Sequence, residues 1–287
     1  MTVTSFYFLM LLLIGVCFYY VVPSKVQWVV LLLLSIIFYV KAATPYTIVF
    51  VIISTIIAYV STIYIEHNRT NKIATKTVST VAIISVLLNI VIWFLLKGSS
   101  FWILGSALIN KVIPAFPLLK ELPLEGALGM GYYTAQVIGY ILDVLWQNAE
   151  TQKNPLKLFL FVCFFPQLTV GPISRYTDIK TIYDAHRFSY QNICRGAQRI
   201  LWGLFKKLVI SDRIALIVNA IWADTSTFGG IWPWIAVFLY PLEIYTDFSG
   251  CMDIVLGAAE LFGVRLAENF RNPFFRGTLR NSGRDGI

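Results

Sequence analysis

Four long apolar runs, 5–22, 27–40, 45–65 and 79–97, fill nearly all of the first hundred residues, with only short links between them. Crossing the hydrocarbon core of a bilayer takes roughly 20 apolar residues, somewhat fewer where flanking groups reach to the interface. Lipid offers the backbone no hydrogen bonds, so runs of this kind restrict the chain to helices that satisfy their own amides and carbonyls. Composition argues the same way. The chain is 57% hydrophobic and 13% charged, whereas a soluble domain carries about 25% charged residues.

Further candidate runs follow at 101–119, 127–146, 156–171, 197–222, 231–246 and 250–263. The expected fold is therefore all-α, a multi-span transmembrane bundle of about nine or ten helices, some short or re-entrant. Prolines 114, 117, 123, 166, 172, 233 and 241 break or kink several of them. Ser5–Val22 is read as the first span, because it is long for the core of a removable leader and no basic stretch precedes it. Lys25 lies in the first link and Arg69, Lys72 and Lys76 in the third, against Lys41 alone in the second. Cytoplasmic links carry the excess of Lys and Arg, which puts the N-terminus on the extracytoplasmic side of a cell membrane.

The net charge of +8 does not indicate nucleic acid, since the cations sit in links beside apolar runs and no basic stretch is interleaved with aromatics. Cys17, Cys163, Cys194 and Cys251 form no CxxC pair and read as small hydrophobes, so neither a disulfide framework nor a metal site is expected. Residues 174–193 are polar with Tyr176, Tyr183, Phe188 and Tyr190 interspersed, which suits a segment in the headgroup layer. The run Arg195 to Arg213, with Arg199, Lys206 and Lys207, has two readings: cations reaching to the interface, or a basic surface for an acidic donor.

Two stretches carry polar and conformationally special residues into apolar sequence. Phe164-Phe165-Pro166-Gln167-Leu168-Thr169-Val170-Gly171-Pro172-Ile173 lacks two backbone donors at its prolines, and Gly171 admits close approach. It is either an ordinary kink or a break lining a cavity. Tyr245-Thr246-Asp247-Phe248-Ser249-Gly250 lies between Glu243 and the pair Asp253 and Glu260, and no Lys or Arg occurs between Arg213 and Arg265. A charge at mid-membrane costs about 2.5–3.5 kcal/mol even on the lenient scale. These four carboxylates therefore need partners from other helices, water, or protons. Asp247 or Ser249 capping a helix that starts near Gly250 is the competing structural role. His67 and His186, the two histidines, lie in polar links, poorly placed for a general base.

The ordered blocks Tyr132-Tyr133-Thr134 with Tyr140 to Val144, Phe164 to Gln167, Gly171 to Arg175, Gly203 to Lys207, Asp247 to Gly250, Glu268-Asn269-Phe270 and Asn272-Pro273-Phe274 resemble the membrane-bound O-acyltransferases. The resemblance is to the branch that acetylates alginate and other polysaccharides or loads D-alanine onto teichoic acid. It covers 122–280, leaving 1–121 as leading spans and 281–287 as an aberrant tail. It implies a ring of tilted helices around a funnel. An acyl group from acetyl-CoA or an acyl carrier protein would cross to an envelope polysaccharide, or to a partner acyltransferase outside the membrane. No bound cofactor is implied. By the same resemblance Asp247, Ser249 and Asn269 line or support the funnel, and Pro172 and Arg175 shape a neighbouring re-entrant loop.

The family's catalytic histidine lies in a Phe-Trp-x-Arg-Trp-His-Ile motif a few residues after the Asn-Pro-Phe block. Here the chain reads Asn281-Ser282-Gly283-Arg284-Asp285-Gly286-Ile287 instead. One permitted back-translation of that tail, preceded by a single G and regrouped, encodes Glu-Phe-Trp-Gln-Arg-Trp-His. The expectation is a nucleotide lost near codon 280 and no turnover by the polypeptide as given; the gene sequence past that codon tests it. Two rivals remain open: a transporter or flippase, which also buries carboxylates on broken helices, and a non-catalytic scaffold of a polysaccharide-modification complex.

Overall fold

The computed structural model describes residues 3–43, 47–70, 75–97, 129–224 and 227–268. These contain helices and turns, with no strand among them. Nine α-helices are described: α1 (Phe6–Val21), α2 (Gln27–Ala42), α3 (Ile48–Thr70), α4 (Thr75–Lys97), α5 (Met130–Leu145), α6 (Pro155–Cys163), α7 (Tyr190–Leu204), α8 (Asp212–Ala223) and α9 (Trp232–Leu261). Three stretches, Ser24–Ala42, Ile48–Arg69 and Lys76–Phe94, are long and apolar enough to cross a bilayer at 19, 22 and 19 residues. At 1.5 Å per residue each reaches about 28–33 Å. α1 is apolar but shorter.

The described residues form two compact units. The first holds α2 to α6 with the turns Tyr176–Ile179 and Lys180–Tyr183. Local signals set its ends. Pro155 occupies the first turn of α6, and the Asn154 side chain accepts from the Leu156 and Lys157 amides at 2.9 and 3.3 Å. Arg69, in the last turn of α3, donates to the Val144 carbonyl at 3.2 Å and to that of Leu145, satisfying the open end of α5. Gly129 begins α5 at a φ of +66°, and a Cβ there would lie 1.9 Å from the Leu168 carbonyl oxygen. Only glycine meets both conditions.

The second unit holds α1, α7, α8, α9 and residues 170–172. α7 and α9 pack at two glycine pairs seven residues apart on each helix. A Cβ on Gly203 would lie 2.6 Å from the Gly250 carbonyl oxygen, and one on Gly257 the same distance from that of Gly196. Small residues at the contact let two backbones approach and gain dispersion contacts, which matter where lipid supplies no hydrophobic drive between helices.

Several expected boundaries differ. The runs 231–246 and 250–263 form one helix of 30 residues, α9. Pro241 sits inside it and does not end it, and Gly250 continues it because its missing side chain is what admits α7. Asp247 and Ser249 are consequently mid-helix and cap nothing. The run 156–171 is helical only to Cys163, and 164–175 is non-helical, so the stretch around Pro166 and Pro172 is a true end of helix and not a kink. The run 197–222 begins earlier, at Tyr190, where Ser189 accepts from the Asn192 amide at 3.5 Å. It also contains a π-helical segment, Phe205–Ser211. The run 101–119 lies outside the described residues.

Candidate functional site

In the second unit two of the four carboxylates that sequence spacing singled out, Asp247 and Asp253, meet cations from other segments, while Glu243 keeps a buried Oε2 without a hydrogen-bond partner. Lys207, in the π segment, places its Nζ 2.5 Å from Asp247 Oδ1 and 2.9 Å from Asp212 Oδ1. Its neighbour Lys206 donates to Ser249 Oγ at 2.5 Å and pairs with Asp253. Arg199, on α7, donates from Nε to Asp253 at 3.1 Å and from Nη1 to Glu268 at 3.3 Å. Ser211, which ends the π segment, donates to the Glu243 carbonyl at 3.2 Å.

The π segment explains how two adjacent lysines both serve one helix. Wider i→i+5 turns admit an extra residue and are common at functional positions. Asp247 and Asp253 lie six residues apart on α9, about 9 Å along its axis. Lys206 and Lys207 meet one each. The Lys206 and Asp253 side chains are 14% and 17% exposed, so removing one partner strands a charge in a poorly solvated place, at about 3–5 kcal/mol.

Arg195 and Arg213 are exposed, whereas Arg199, Lys206 and Lys207 are engaged by carboxylates of the same unit and so are not a free basic surface. The demand for a cation was visible in the empty interval from Arg213 to Arg265. Which cations answer it was not.

Of the five positions the resemblance marks, Asp247 and Ser249 lie on one helix and bind neighbouring lysines. Pro172 is buried in the second unit. Arg175 is exposed in the first unit, at the start of the Tyr176 turn. Asn269 lies outside the described residues. His186 departs from its expected surface setting. It is half-buried, shares a hydrogen bond with the Tyr19 hydroxyl at 2.8 Å from Nδ1, and packs against Gly263, where a Cβ would lie 2.8 Å from its ring. His67 is exposed in the last turn of α3.

The first unit is polar in a different manner. Ser54 and Asn89 hydrogen-bond between α3 and α4. Ser35 donates to the Leu31 carbonyl at 2.7 Å and accepts the Phe165 amide at 3.1 Å, tying the non-helical stretch to α2. Gln152 donates its backbone amide to the Tyr140 hydroxyl and its side-chain amide to that of Tyr176, both at 2.8 Å. The Tyr140 and Tyr176 ring centroids lie 4.9 Å apart with the planes tilted by 51°. Tyr133, Gln136 and Gln167 are buried to 0%, 4% and 2% exposure. Their hydroxyl and side-chain NH2 groups have no hydrogen-bond partner, and each such group costs about 1–3 kcal/mol. Sequence reasoning named Tyr133 only within a motif block and passed over Gln136, because an aromatic and an amide on an apolar helix carry no distinctive spacing. No group of three or more metal-ligating side chains occurs among the described residues.

No family model matches the chain. Curated proteins do. It is 26% identical over 205 residues to the probable alginate O-acetylase AlgI of Pseudomonas syringae pv. tomato, covering 70% of this chain and 39% of that one. It is 27% identical over 219 residues to the peptidoglycan O-acetyltransferase of Helicobacter pylori, covering 67% and 41%. It is also 27% identical over 183 residues to the teichoic acid D-alanyltransferase of Streptococcus thermophilus, covering 61% and 43%. These homologues are membrane-bound O-acyltransferases. The chain thus spans about two fifths of the length of the relatives it matches, 39% to 43%.

Proposed function

We propose that this chain takes part in O-acyl transfer at the cell membrane, moving an acetyl or similar short acyl group to hydroxyls of a cell-envelope polysaccharide or related polymer. One observation carries the reading. Relatives named for acetylating alginate, acetylating peptidoglycan and D-alanylating teichoic acid all align with it. Their polymers and acyl groups differ, and acyl transfer to an envelope polymer is what they share.

The donor in this reading is the thioester of acetyl-CoA or of an acyl carrier protein, presented from the cytoplasm. An acceptor hydroxyl attacks the thioester carbonyl, the new C–O bond forms as the C–S bond breaks, and the hydroxyl proton passes to a general base while the thiol leaves. His67 and His186 are assigned no step in it. In this reading Asp247, Ser249 and Asn269 line or support the funnel, Asp247 and Ser249 through Lys207 and Lys206, and Pro172 and Arg175 shape a re-entrant loop. The acceptor is an envelope polysaccharide or a partner acyltransferase outside the membrane, membrane lipid surrounds the spans, and the N-terminus lies extracytoplasmically. The division at residue 121 into leading spans and motif-bearing core belongs to the same proposal.

The test is chemical. Ester-linked acyl groups on the envelope polymers of the native host are released with mild base and quantified, with the gene intact, deleted, and carrying Asp247→Asn or Arg195→Ala. Where the gene encodes the Phe-Trp-x-Arg-Trp-His-Ile motif past codon 280, deletion is expected to remove one class of ester, Asp247→Asn to lower it, and Arg195→Ala to leave it unchanged; the 287-residue form by itself is expected to make none. Ester content unaltered by deletion would sink the proposal.

A further inference from the structure

Among the described residues of the first unit, six buried side-chain groups lack a hydrogen-bond partner, on Tyr39, Asn68, Tyr133, Gln136, Gln167 and Thr169, and one backbone contact links the elements that carry Tyr133, Gln136 and Gln167. Gly129 and Leu168 are in backbone contact, which sets the 164–169 stretch beside the first turn of α5. Tyr133 and Gln136 follow Gly129 at four and then three residues, along one face of that helix, and helical side chains lean back toward the N-terminus. Gln167 precedes Leu168; its side chain accepts at Oε1 from Ser174 at 3.5 Å, and its NH2 group is unused.

Tyr133, Gln136 and Gln167 are all uncharged donors, buried almost completely. Native interiors rarely leave such groups unmatched, and those that protein does not satisfy bind ordered water with about three hydrogen bonds each. We infer that Tyr133, Gln136 and Gln167 form a fixed internal hydration site that anchors the non-helical stretch after α6 to α5. Water here accepts from both side-chain NH2 groups and from the phenol hydroxyl, which takes at least two linked molecules because each oxygen carries two lone pairs. Water therefore does for Gln167 what Ser35 does for Phe165, and the stretch stays non-helical inside an apolar bundle without stranding its polar groups. This inference rests on the fold and not on the acyl-transfer reading, so the two fail independently.

X-ray hydroxyl-radical footprinting of the full chain in nanodiscs tests it, because radiolysis of a bound water labels adjoining side chains that bulk solvent cannot reach. Tyr133 is expected to be labelled several-fold more than the equally buried Phe161. After rapid mixing into H2(18)O it is expected to retain the light isotope. The variants Gln136→Leu and Gln167→Leu are expected to lose that labelling and to melt at lower temperature. Labelling of Tyr133 no higher than that of Phe161 would overturn the inference, as would immediate uptake of the heavy isotope, which marks open solvent. A higher melting temperature in both leucine variants, the result for dry and unsatisfied amides, would also overturn it. Should neither variant fold, the wild-type labelling decides alone.

Discussion

Apart from Arg69 of α3 on the end of α5, the first unit joins its helices through uncharged groups: a Ser54–Asn89 bond, Ser35 to a loop amide, and tyrosines linked by Gln152. The second joins α7, the π segment and α9 through glycine-to-backbone contact and ion pairs. The contrast teaches how each solves the same solvent problem. A neutral hydrogen bond asks little of its surroundings, so it suits apolar spans such as α3 and α4. An ion pair near the membrane demands exact partners, and bare glycine backbones bring the two helices near enough for Lys206 and Lys207 to reach.

The sharpest way to break the comparison is Asp253→Ala, which, among the described residues, leaves Lys206 with no ion pair and Arg199 with Glu268 alone. It is expected to cost about 3–5 kcal/mol and to show as loss of folded protein in membranes or a large fall in thermal midpoint. The triple replacement Arg199→Leu, Lys206→Met and Asp253→Leu should recover much of that loss, because a buried pair replaced by apolar residues is often neutral. A triple variant as unstable as the single one would mean that the charges do more than satisfy one another. Gly203→Ala comes next. It drives a methyl into the Gly250 carbonyl and is expected to cost about 1–3 kcal/mol, whereas Gly131→Ala, which meets open space, should change stability little. Ser35→Ala leaves the Phe165 amide unpaired, an expected loss of about 1–3 kcal/mol, read by melting and by faster hydrogen exchange at that amide.

The smallest effect belongs to Lys180 and Glu150, an exposed pair 2.7 Å apart in the links of the first unit. Lys180 holds the Glu150 carboxyl below its usual range, and Glu150 raises the Lys180 ammonium above its own. The carboxyl's share is present above the ordinary carboxylate range and fades as pH falls through its lowered value. The ammonium's share is present below the ordinary lysine range and fades as pH rises through its raised value. Lys180→Ala should thus leave the melting temperature nearly flat between those limits, in contrast to any change at Lys206.

Much of the fold was legible because hydropathy is a local property. The runs 5–22, 27–40, 45–65 and 79–97 became α1 to α4 with ends displaced by a few residues. Helix ends were read less well wherever a tertiary contact overruled a local signal. Pro241 and Gly250 look like breakers in sequence, yet α9 runs through both because α7 packs on it. The candidate site was legible as a need and not as an arrangement. Four carboxylates without local cations announced partners elsewhere, but Arg199 meets Asp253 across 54 residues and Lys206 meets Ser249 across 43. No spacing rule spans that distance.

By itself, then, the sequence determined that this chain is helical and built for a bilayer, since runs of apolar side chains admit no other way to satisfy a backbone in lipid. Tertiary structure alone decided that the lysines of a π segment answer the acids of α9, and that Tyr133, Gln136 and Gln167 lie buried and unpaired. Those facts depend on which surfaces meet, and glycines at the contacts, rather than any motif, set how closely they do.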